Sequence, residues 1–264
     1  MSVKRDASGR QSIQVEVEVP GAVEEVWKAV ATGPGISSWF CPTEIEEKTG
    51  GVIRTMMGPG MESLASVTVW DPPRRLAAEG PGAGPDAAPM ITEWIVEPRS
   101  GNACLVRVIH SMSGGTDEQR KQLEGIECGW PYFFAILRVY LAHFRGQPVS
   151  IIRTMQQDSG PVNDAWSALT GTLGITGLRK GARWTSPPGT PSLTGVVEQV
   201  DGDKQPYAAI RLDGPIPGIA SASAFAMGDC AIVTMGIYLY GDEAPAIAAR
   251  DEPAWQEWMK ELFS

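Results

Sequence analysis

Apolar and polar side chains alternate along residues 12–19, so that every second residue belongs to one apolar face. This period of two is typical of a half-buried β-strand, and Pro20-Gly21 ends it. Apolar residues then recur at intervals of three and four along 23–30, which predicts a short helix that stops before Gly33. The chain therefore opens with a strand followed by a helix.

Short apolar runs separated by turn residues come next, and they predict neighbouring antiparallel strands. The predicted strands cover 51–57, 62–70, 74–79, 90–97 and 104–112. A longer apolar stripe at helical spacing, 123–144, predicts a closing helix. Within it Pro131 predicts a kink or a restart, because proline removes a backbone donor. This order of elements indicates an α+β unit whose curved sheet wraps one helix.

The second half of the chain repeats the first. Residues 162–166 match 23–27 without gaps, and 230–241 match 104–115 in the same order. Because several matches occur in the same order, they indicate a repeat better than any single match does. A strand over 150–156 and a final helix over 253–263 complete the second copy. The predicted domains are a disordered tail (1–11), a first domain (12–147) and a degenerate second domain (148–264).

The composition disfavours several classes of protein. The chain has 264 residues, a formal net charge of −9 and only two histidines, His110 and His143. An acidic chain is a poor partner for nucleic acid or an anionic membrane, and no apolar run approaches the ~18 residues of a spanning helix. The four cysteines lie far apart, which indicates neither a disulfide framework nor a metal site. We expect a cytoplasmic protein without a cofactor or metal.

Five motifs of the first half carry a resemblance to a known family. They are Val23-x-x-Val26-Trp27, Ile36-Ser37-Ser38-Trp39-Phe40, Gly50-Gly51-x-Ile53, Val108-Ile109-His110-Ser111 and Gly129-Trp130. In these residues the first half resembles the activator-of-heat-shock-ATPase homologue branch of the SRPBCC (START-like) superfamily. The resemblance implies a helix-grip fold, in which an antiparallel curved sheet wraps around the long C-terminal helix and leaves a cavity. We therefore expect two tandem helix-grip copies, the second one degenerate.

The same resemblance implies three alternative functions. Members of the superfamily bind hydrophobic small molecules, act as cyclases or aromatases on polyketides, or contact a chaperone. The leading hypothesis is non-enzymatic binding of a lipid-like or aromatic molecule in the N-terminal domain. The alternatives are a polyketide cyclase/aromatase-like enzyme and a co-chaperone-like interaction protein. Exposed strand edges also favour a homodimer.

Strand alternation and helical spacing suggest which residues would line the implied cavity. Inward strand positions and the closing helix supply an apolar, polarizable surface suited to rings or an acyl chain. The predicted ligand-binding residues are Met56, Met90, Trp94, Val108, His110, Met112, Trp130, Phe133, Phe134 and Leu137. The alternative interpretation is that each of these residues simply packs in the core.

His110 is the candidate catalytic residue. An inward histidine beside a cavity is able to act as an acid or base near neutral pH, or to hydrogen-bond a ligand carbonyl. The alternative is a buried histidine whose nitrogens are satisfied by backbone or water. The ungapped match places Gly236 at the corresponding position of the second copy. The second copy is therefore predicted to lack this group.

Overall fold

The computed structural model describes residues 3–58, 60–82, 88–114, 116–202 and 205–264. The chain forms two compact units, Met1–Arg145 and Gly146–Ser264. Each unit contains one antiparallel sheet together with helices. The fold class predicted from the sequence, α+β with two tandem helix-grip copies, is confirmed by this architecture.

Within the described residues, the first unit has eight strands. They are β1 (Lys4–Arg5), β2 (Gln11–Pro20), β3 (Thr43–Ile45), β4 (Val52–Met56), β5 (Glu62–Asp71), β6 (Arg75–Gly80), β7 (Met90–Arg99) and β8 (Ala103–Met112). They form one antiparallel sheet in the order β1-β2-β8-β7-β6-β5-β4-β3, so that β2 pairs with the last strand. The alternating first strand and the five strands after it are confirmed. The three residues of β3 are too few to show a period.

The segment before β2 differs from the disordered tail that the sequence predicts. Lys4 and Arg5 form a short strand against the start of β2. The Asp6 carboxylate accepts backbone hydrogen bonds from Ser8 at 2.9 Å and Arg10 at 3.1 Å, which hold the turn between the two strands. Residues 1 and 2 of the predicted tail lie outside the described residues.

Three helices of the first unit are α1 (Val23–Ala31), α2 (Gly33–Ser37) and α3 (Asp117–His143). A capping box starts α3, because the Thr116 hydroxyl accepts from the Gln119 N–H at 3.2 Å and the Gln119 side chain accepts from the Thr116 N–H at 3.1 Å. The sequence predicts a kink or a restart of the helix at Pro131. The helix does not restart there and continues through Pro131 to His143. Burial of the residues around Pro131 stabilises the helix there despite the missing donor.

The inner face of the first sheet consists of rows of residues paired across β2, β8, β7 and β6, in that order. Because side chains alternate along each strand, the members of a row project to the same face. The three rows that matter for the site are Gln11–Met112–Met90–Gly80, Ile13–His110–Thr92–Ala78 and Val15–Val108–Trp94–Leu76.

The second unit repeats this topology. Its elements are β9 (Val149–Asp158), α4 (Val162–Thr172), β10 (Arg183–Thr185), β11 (Thr194–Asp201), β12 (Tyr207–Gly214), β13 (Gly218–Met227), β14 (Cys230–Tyr240) and α5 (Ala244–Leu262). The strand order is β10-β11-β12-β13-β14-β9, so the first strand again pairs with the last. The repeat predicted from the sequence is therefore also present in the strand order.

The last helix begins nine residues earlier than predicted. The predicted helix starts at Pro253, since proline is favoured at a helix start, but α5 begins at Ala244 and contains Pro253 in its interior. Pro245 occupies the first turn instead. The alanine-rich stretch 244–249 has high helix propensity, which explains the earlier start.

The position that corresponds to His110 is Ile237 and not Gly236. Counted back from the first residues of α1 and α4, Ile13 corresponds to Ile152, and these residues pair with His110 and Ile237 respectively. Ile237 belongs to the core of the second unit, whereas Gly236 is one residue away and so lies on the other face of β14. The ungapped match is therefore wrong by one residue in this strand.

Candidate functional site

Six aromatic side chains meet in the interior of the first unit, and we call them the aromatic cluster. Its members come from the segment after α2, from β7 and from α3: Trp39, Phe40, Trp94, Trp130, Phe133 and Phe134. Trp130 lies at the centre of the cluster, because its ring contacts rings from each of these three elements. The cluster therefore occupies the position of the cavity that the resemblance implies.

The rings of the aromatic cluster pack at contact distance. The centroid of Trp130 lies 5.1 Å from that of Trp94 and 5.2 Å from that of Phe134. On the other side, Phe40 stacks on Trp130 at 5.8 Å and meets Phe133 edge-on at 4.6 Å. These offset and edge-to-face arrangements are the favourable geometries for aromatic pairs. Phe40 and Phe133 are only half-buried, so the cluster extends to the surface of the unit.

His110 is held by one side chain on each ring nitrogen. The indole Nε1–H of Trp130 donates to His110 Nε2 at 2.9 Å, and His110 Nδ1 lies 3.0 Å from Thr92 Oγ1. An indole nitrogen only donates, so His110 Nε2 must carry a lone pair. The proton is therefore on Nδ1, which donates to Thr92 Oγ1. This network joins β7, β8 and α3 and fixes one tautomer of a neutral imidazole.

Burial keeps the imidazole of His110 neutral. The residue is 5% exposed, and desolvation of the charged form lowers the pKa of His110 from 6.5 to about 4. Protonation of Nε2 would also break the hydrogen bond from Trp130. At neutral pH His110 is therefore an uncharged hydrogen-bonding group in the core.

The structure places the predicted site residues in three environments. Six of them are buried close to His110 and the rings: Trp94, Val108, Met112, Trp130, Phe134 and Leu137. Met90 and Phe133 are half-buried at the margin of this region. Met56 lies on the exposed face of β4, four strands from β8 in the sheet order, and is 40% exposed. It is therefore not brought together with the other residues.

Three participants were not assigned to the site from the sequence. From the sequence, Trp39 and Phe40 belong only to a family motif, and Thr92 belongs to no predicted site. Thr92 lies opposite His110 because β7 and β8 pair in that register. This contact follows from the pairing register of β7 and β8. The residues of the turn between the two strands did not specify that register in the sequence.

The second unit has a small apolar cavity at the inner face of its sheet. Its volume is about 10 Å³, which is about the space of one water molecule. The residues that line it include Trp184, Ala208, Ala220, Ala222, Met235 and Trp255. The indole N–H of Trp184 donates to the Leu173 carbonyl at 2.8 Å, so this ring is fixed by the backbone. This cavity is thus too small for anything larger than one water molecule.

Nowhere in the part of the chain that the structure describes do three or more histidine, cysteine, aspartate or glutamate side chains gather in a way that would hold a metal ion. The helices of this part are also too short or too polar to cross a membrane. The four cysteines are not joined in disulfides.

Comparison with solved structures finds similar chains of low sequence identity. The di-domain ARO/CYC BexL from the BE-7585A biosynthetic pathway is 15% identical, with a TM-score of 0.45 over 88% of this chain and 86% of BexL. DynU16, from the dynemicin biosynthetic locus, is 19% identical, with a TM-score of 0.42 over 92% of this chain and 94% of DynU16.

A shorter match is the Aha1 dimer from Colwellia psychrerythraea, 20% identical with a TM-score of 0.41. It covers 51% of this chain and 98% of that one. No curated protein matches the chain in sequence. The family model described as Activator of Hsp90 ATPase homolog 1-like protein matches residues 21–142, from the turn after β2 to the last turn of α3. Over these residues, the first unit is similar to the family of activator of Hsp90 ATPase homolog 1-like proteins.

Proposed function

We propose that the first unit binds a hydrophobic small molecule, lipid-like or aromatic, between its sheet and α3, without catalysing a reaction. The observation that carries this proposal is the aromatic cluster around Trp130. A ligand with rings or an acyl chain would separate the rings of the cluster and make apolar contacts with them in place of the ring-to-ring contacts. Little dispersion energy would therefore be lost when the cluster opens. Flexible methionines beside the cluster, Met90 and Met112, would adapt to its shape.

The state of His110 supports binding rather than catalysis. An acid or base works best when its pKa is near the working pH, whereas burial holds the pKa of His110 at about 4. Both of its ring nitrogens are also engaged by Trp130 and Thr92. A cyclase/aromatase-like reaction would require His110 to leave both partners before it moved a proton. The hydrogen bonds instead make His110 a rigid wall of the site.

The half-buried Phe133 is the entry that we propose for the ligand. Its ring packs on Phe40 and Trp130 at the margin of the aromatic cluster, so a rotation of one side chain would uncover the interior. Met90 lies at another half-buried margin, between Met112 and Gly80 in the inner row. Rotation of the Phe133 or the Met90 side chain would leave the backbone of the sheet unchanged.

Titration with an apolar fluorophore tests the proposal. N-phenyl-1-naphthylamine should bind with one-to-one stoichiometry, and Phe133→Ala should weaken its binding about fivefold, since one aromatic contact contributes about 1 kcal/mol. The matched control is Phe225→Ala, which removes a half-buried phenylalanine of β13 in the second unit. Native mass spectrometry of the purified protein would show a bound molecule directly. Equal affinity of both variants and the parent protein would exclude a site at Phe133.

A second candidate function is protein interaction, and one observation favours it. Large apolar side chains between 40% and 55% exposed cluster on the hairpin of β4 and β5: Val52, Met56, Met57, Met61 and Leu64. Exposed apolar groups of this kind mark interaction surfaces. Given the family, we propose an Hsp90-type chaperone ATPase as the partner to test.

Surface plasmon resonance with that chaperone tests the second candidate. Replacing Met56 and Met61 by glutamine should abolish binding, because two apolar anchors are lost from the hairpin. Replacing the exposed Met155 and Met227 of the second unit should leave binding intact, and these residues serve as the control. Retention of binding by the hairpin variant would remove this candidate.

A further inference from the structure

Gln11 has an unused hydrogen-bond acceptor in the interior of the first unit. The residue is 5% exposed, and within the described residues its Oε1 has no hydrogen-bond partner. Buried polar atoms are nearly always paired, because a buried acceptor without a donor loses its hydration and gains nothing in return. Such an atom therefore requires an explanation.

The position of Gln11 points to a ligand. Its strand alternation with Ile13 and Val15 puts it on the inner face of the sheet, in the row of Met112, Met90 and Gly80. This row is adjacent to the row of His110. Two methionines and a glycine leave an adaptable, apolar surface beside one carbonyl oxygen. The row thus combines an apolar surface with one polar anchor, the pattern of a small-molecule site.

We infer that Gln11 selects hydrophobic ligands that carry a hydroxyl group, by accepting the hydroxyl hydrogen at Oε1. The inference rests on the proposed function, since the ligand is the molecule bound between the sheet and α3. A phenol or alcohol would satisfy the buried carbonyl, whereas an analogue that cannot donate would leave it without a partner. A site built to pair with a hydroxyl discriminates strongly against the molecule that lacks it.

Three naphthalenes of similar size test the inference by isothermal titration calorimetry at pH 7. 2-Naphthol donates a hydrogen bond, 2-methoxynaphthalene only accepts one, and 2-ethylnaphthalene does neither. We expect 2-naphthol to bind about tenfold more tightly than the other two, which should bind equally, since one hydrogen bond to a buried neutral group changes affinity by about this factor.

Gln11→Leu should remove this preference and leave the affinity for 2-ethylnaphthalene unchanged. Gln14→Leu is the control, because Gln14 lies on the same strand but is exposed on the outer face. Without ligand, Gln11→Leu should unfold at a higher temperature than the parent protein, since it removes an unsatisfied buried carbonyl. A purely structural Gln11 would instead lower the unfolding temperature when replaced and would leave ligand preference unchanged.

The outcomes separate the inference from the proposed function. If all three naphthalenes bind equally, or if Gln11→Leu keeps the preference for 2-naphthol, Gln11 does not select the hydroxyl, but the apolar site stands. Preference for 2-methoxynaphthalene would show that the Gln11 amide presents its N–H₂ group, and it would also overturn the inference. If none of the three binds, both the inference and the proposed function are wrong.

Discussion

The two units share a strand order but fill their interiors with different side chains. Along β7 the inner positions carry larger or polar side chains, whereas the corresponding positions of β13 carry only glycine and alanine. The corresponding sets are Met90, Thr92, Trp94 and Val96 in the first unit and Gly218, Ala220, Ala222 and Ala224 in the second. In the second unit the indoles of Trp184, from the edge strand β10, and of Trp255, from α5, line the same cavity as Ala220 and Ala222. The same topology is therefore packed closely with two different sets of interior side chains.

The polar groups differ in the same way. The first unit has His110 where the second has Ile237, and Thr92 where the second has Ala220. The hydrogen-bonded wall of the candidate site is thus confined to the first unit. A sheet that supplies rings and polar groups is suited to hold a ligand with some specificity, whereas alanines under two tryptophans are suited to plain core packing. This contrast can be tested unit by unit.

The largest expected effect is the loss of a buried indole. Trp94→Ala and Trp255→Ala should each lower the free energy of unfolding by about 3–5 kcal/mol, since each leaves a large cavity. Hydrogen exchange read by mass spectrometry should show lost protection in β7 and β8 for the first variant and in β13 and β14 for the second. If Trp255→Ala costs less than about 1 kcal/mol, the indoles of the second unit do not replace the side chains that its sheet lacks.

The comparison also shows what the sequence was able to predict. Period-two alternation found the strands of the first unit, because their inner and outer faces differ in polarity, as in 12–19. It did not fix register, because β14 is apolar on both faces and an alignment shifted by one residue keeps its apolar character. The match of His110 with Gly236 failed for this reason.

Within the candidate site, residue types were easier to predict than contacts. The inward direction of His110 and Trp94 followed from alternation, and both lie in the core as expected. The pairing of His110 with Trp130 needed the rotation of α3 against the sheet, which no local pattern specifies. Gln11 was not identified, because a glutamine at the start of a strand looks like an ordinary polar end.

The second prediction concerns pH and His110, which the second unit replaces by Ile237. Burial holds the pKa of folded His110 at about 4, below the 6.5 of the unfolded chain. Between these values the unfolded chain binds the proton and the folded protein does not, so stability is complete above pH 6.5 and falls as the pH approaches 4. At about 1.4 kcal/mol per pKa unit, the loss is about 3 kcal/mol.

Urea unfolding at several pH values measures this loss against His110→Gln. Glutamine is able to accept from Trp130 and donate to Thr92 but does not titrate, so all other groups cancel in the difference. The difference in unfolding free energy between the two proteins should be constant above pH 6.5 and change by about 3 kcal/mol by pH 4. A flat difference over this range would mean that His110 is not desolvated in the folded state.

The third prediction concerns a double variant in which Thr92 and His110 are replaced by the residues found at the corresponding positions of the second unit, alanine and isoleucine. Thr92→Ala leaves the Nδ1–H of His110 without an acceptor, and His110→Ile leaves Thr92 and Trp130 without their partner. The double variant carries the residues of Ala220 and Ile237, and it should cost about 1–2 kcal/mol less than the sum of the single variants. Strict additivity in urea unfolding would mean that the hydrogen bond between His110 and Thr92 contributes nothing.

The smallest effect is expected in the second unit, where Thr154 corresponds to Val15 of the first. Within the described residues, Thr154 Oγ1 is buried and has no hydrogen-bond partner. Thr154→Val keeps the shape of the side chain and removes the unsatisfied hydroxyl, so it should raise the free energy of unfolding by about 1 kcal/mol. Thr170→Val is the matched control, because the equally buried Thr170 donates to the Trp166 carbonyl at 2.8 Å and should destabilise the protein when replaced. If both variants are destabilised, Thr154 has a partner in solution, and the polar interior is not confined to the first unit.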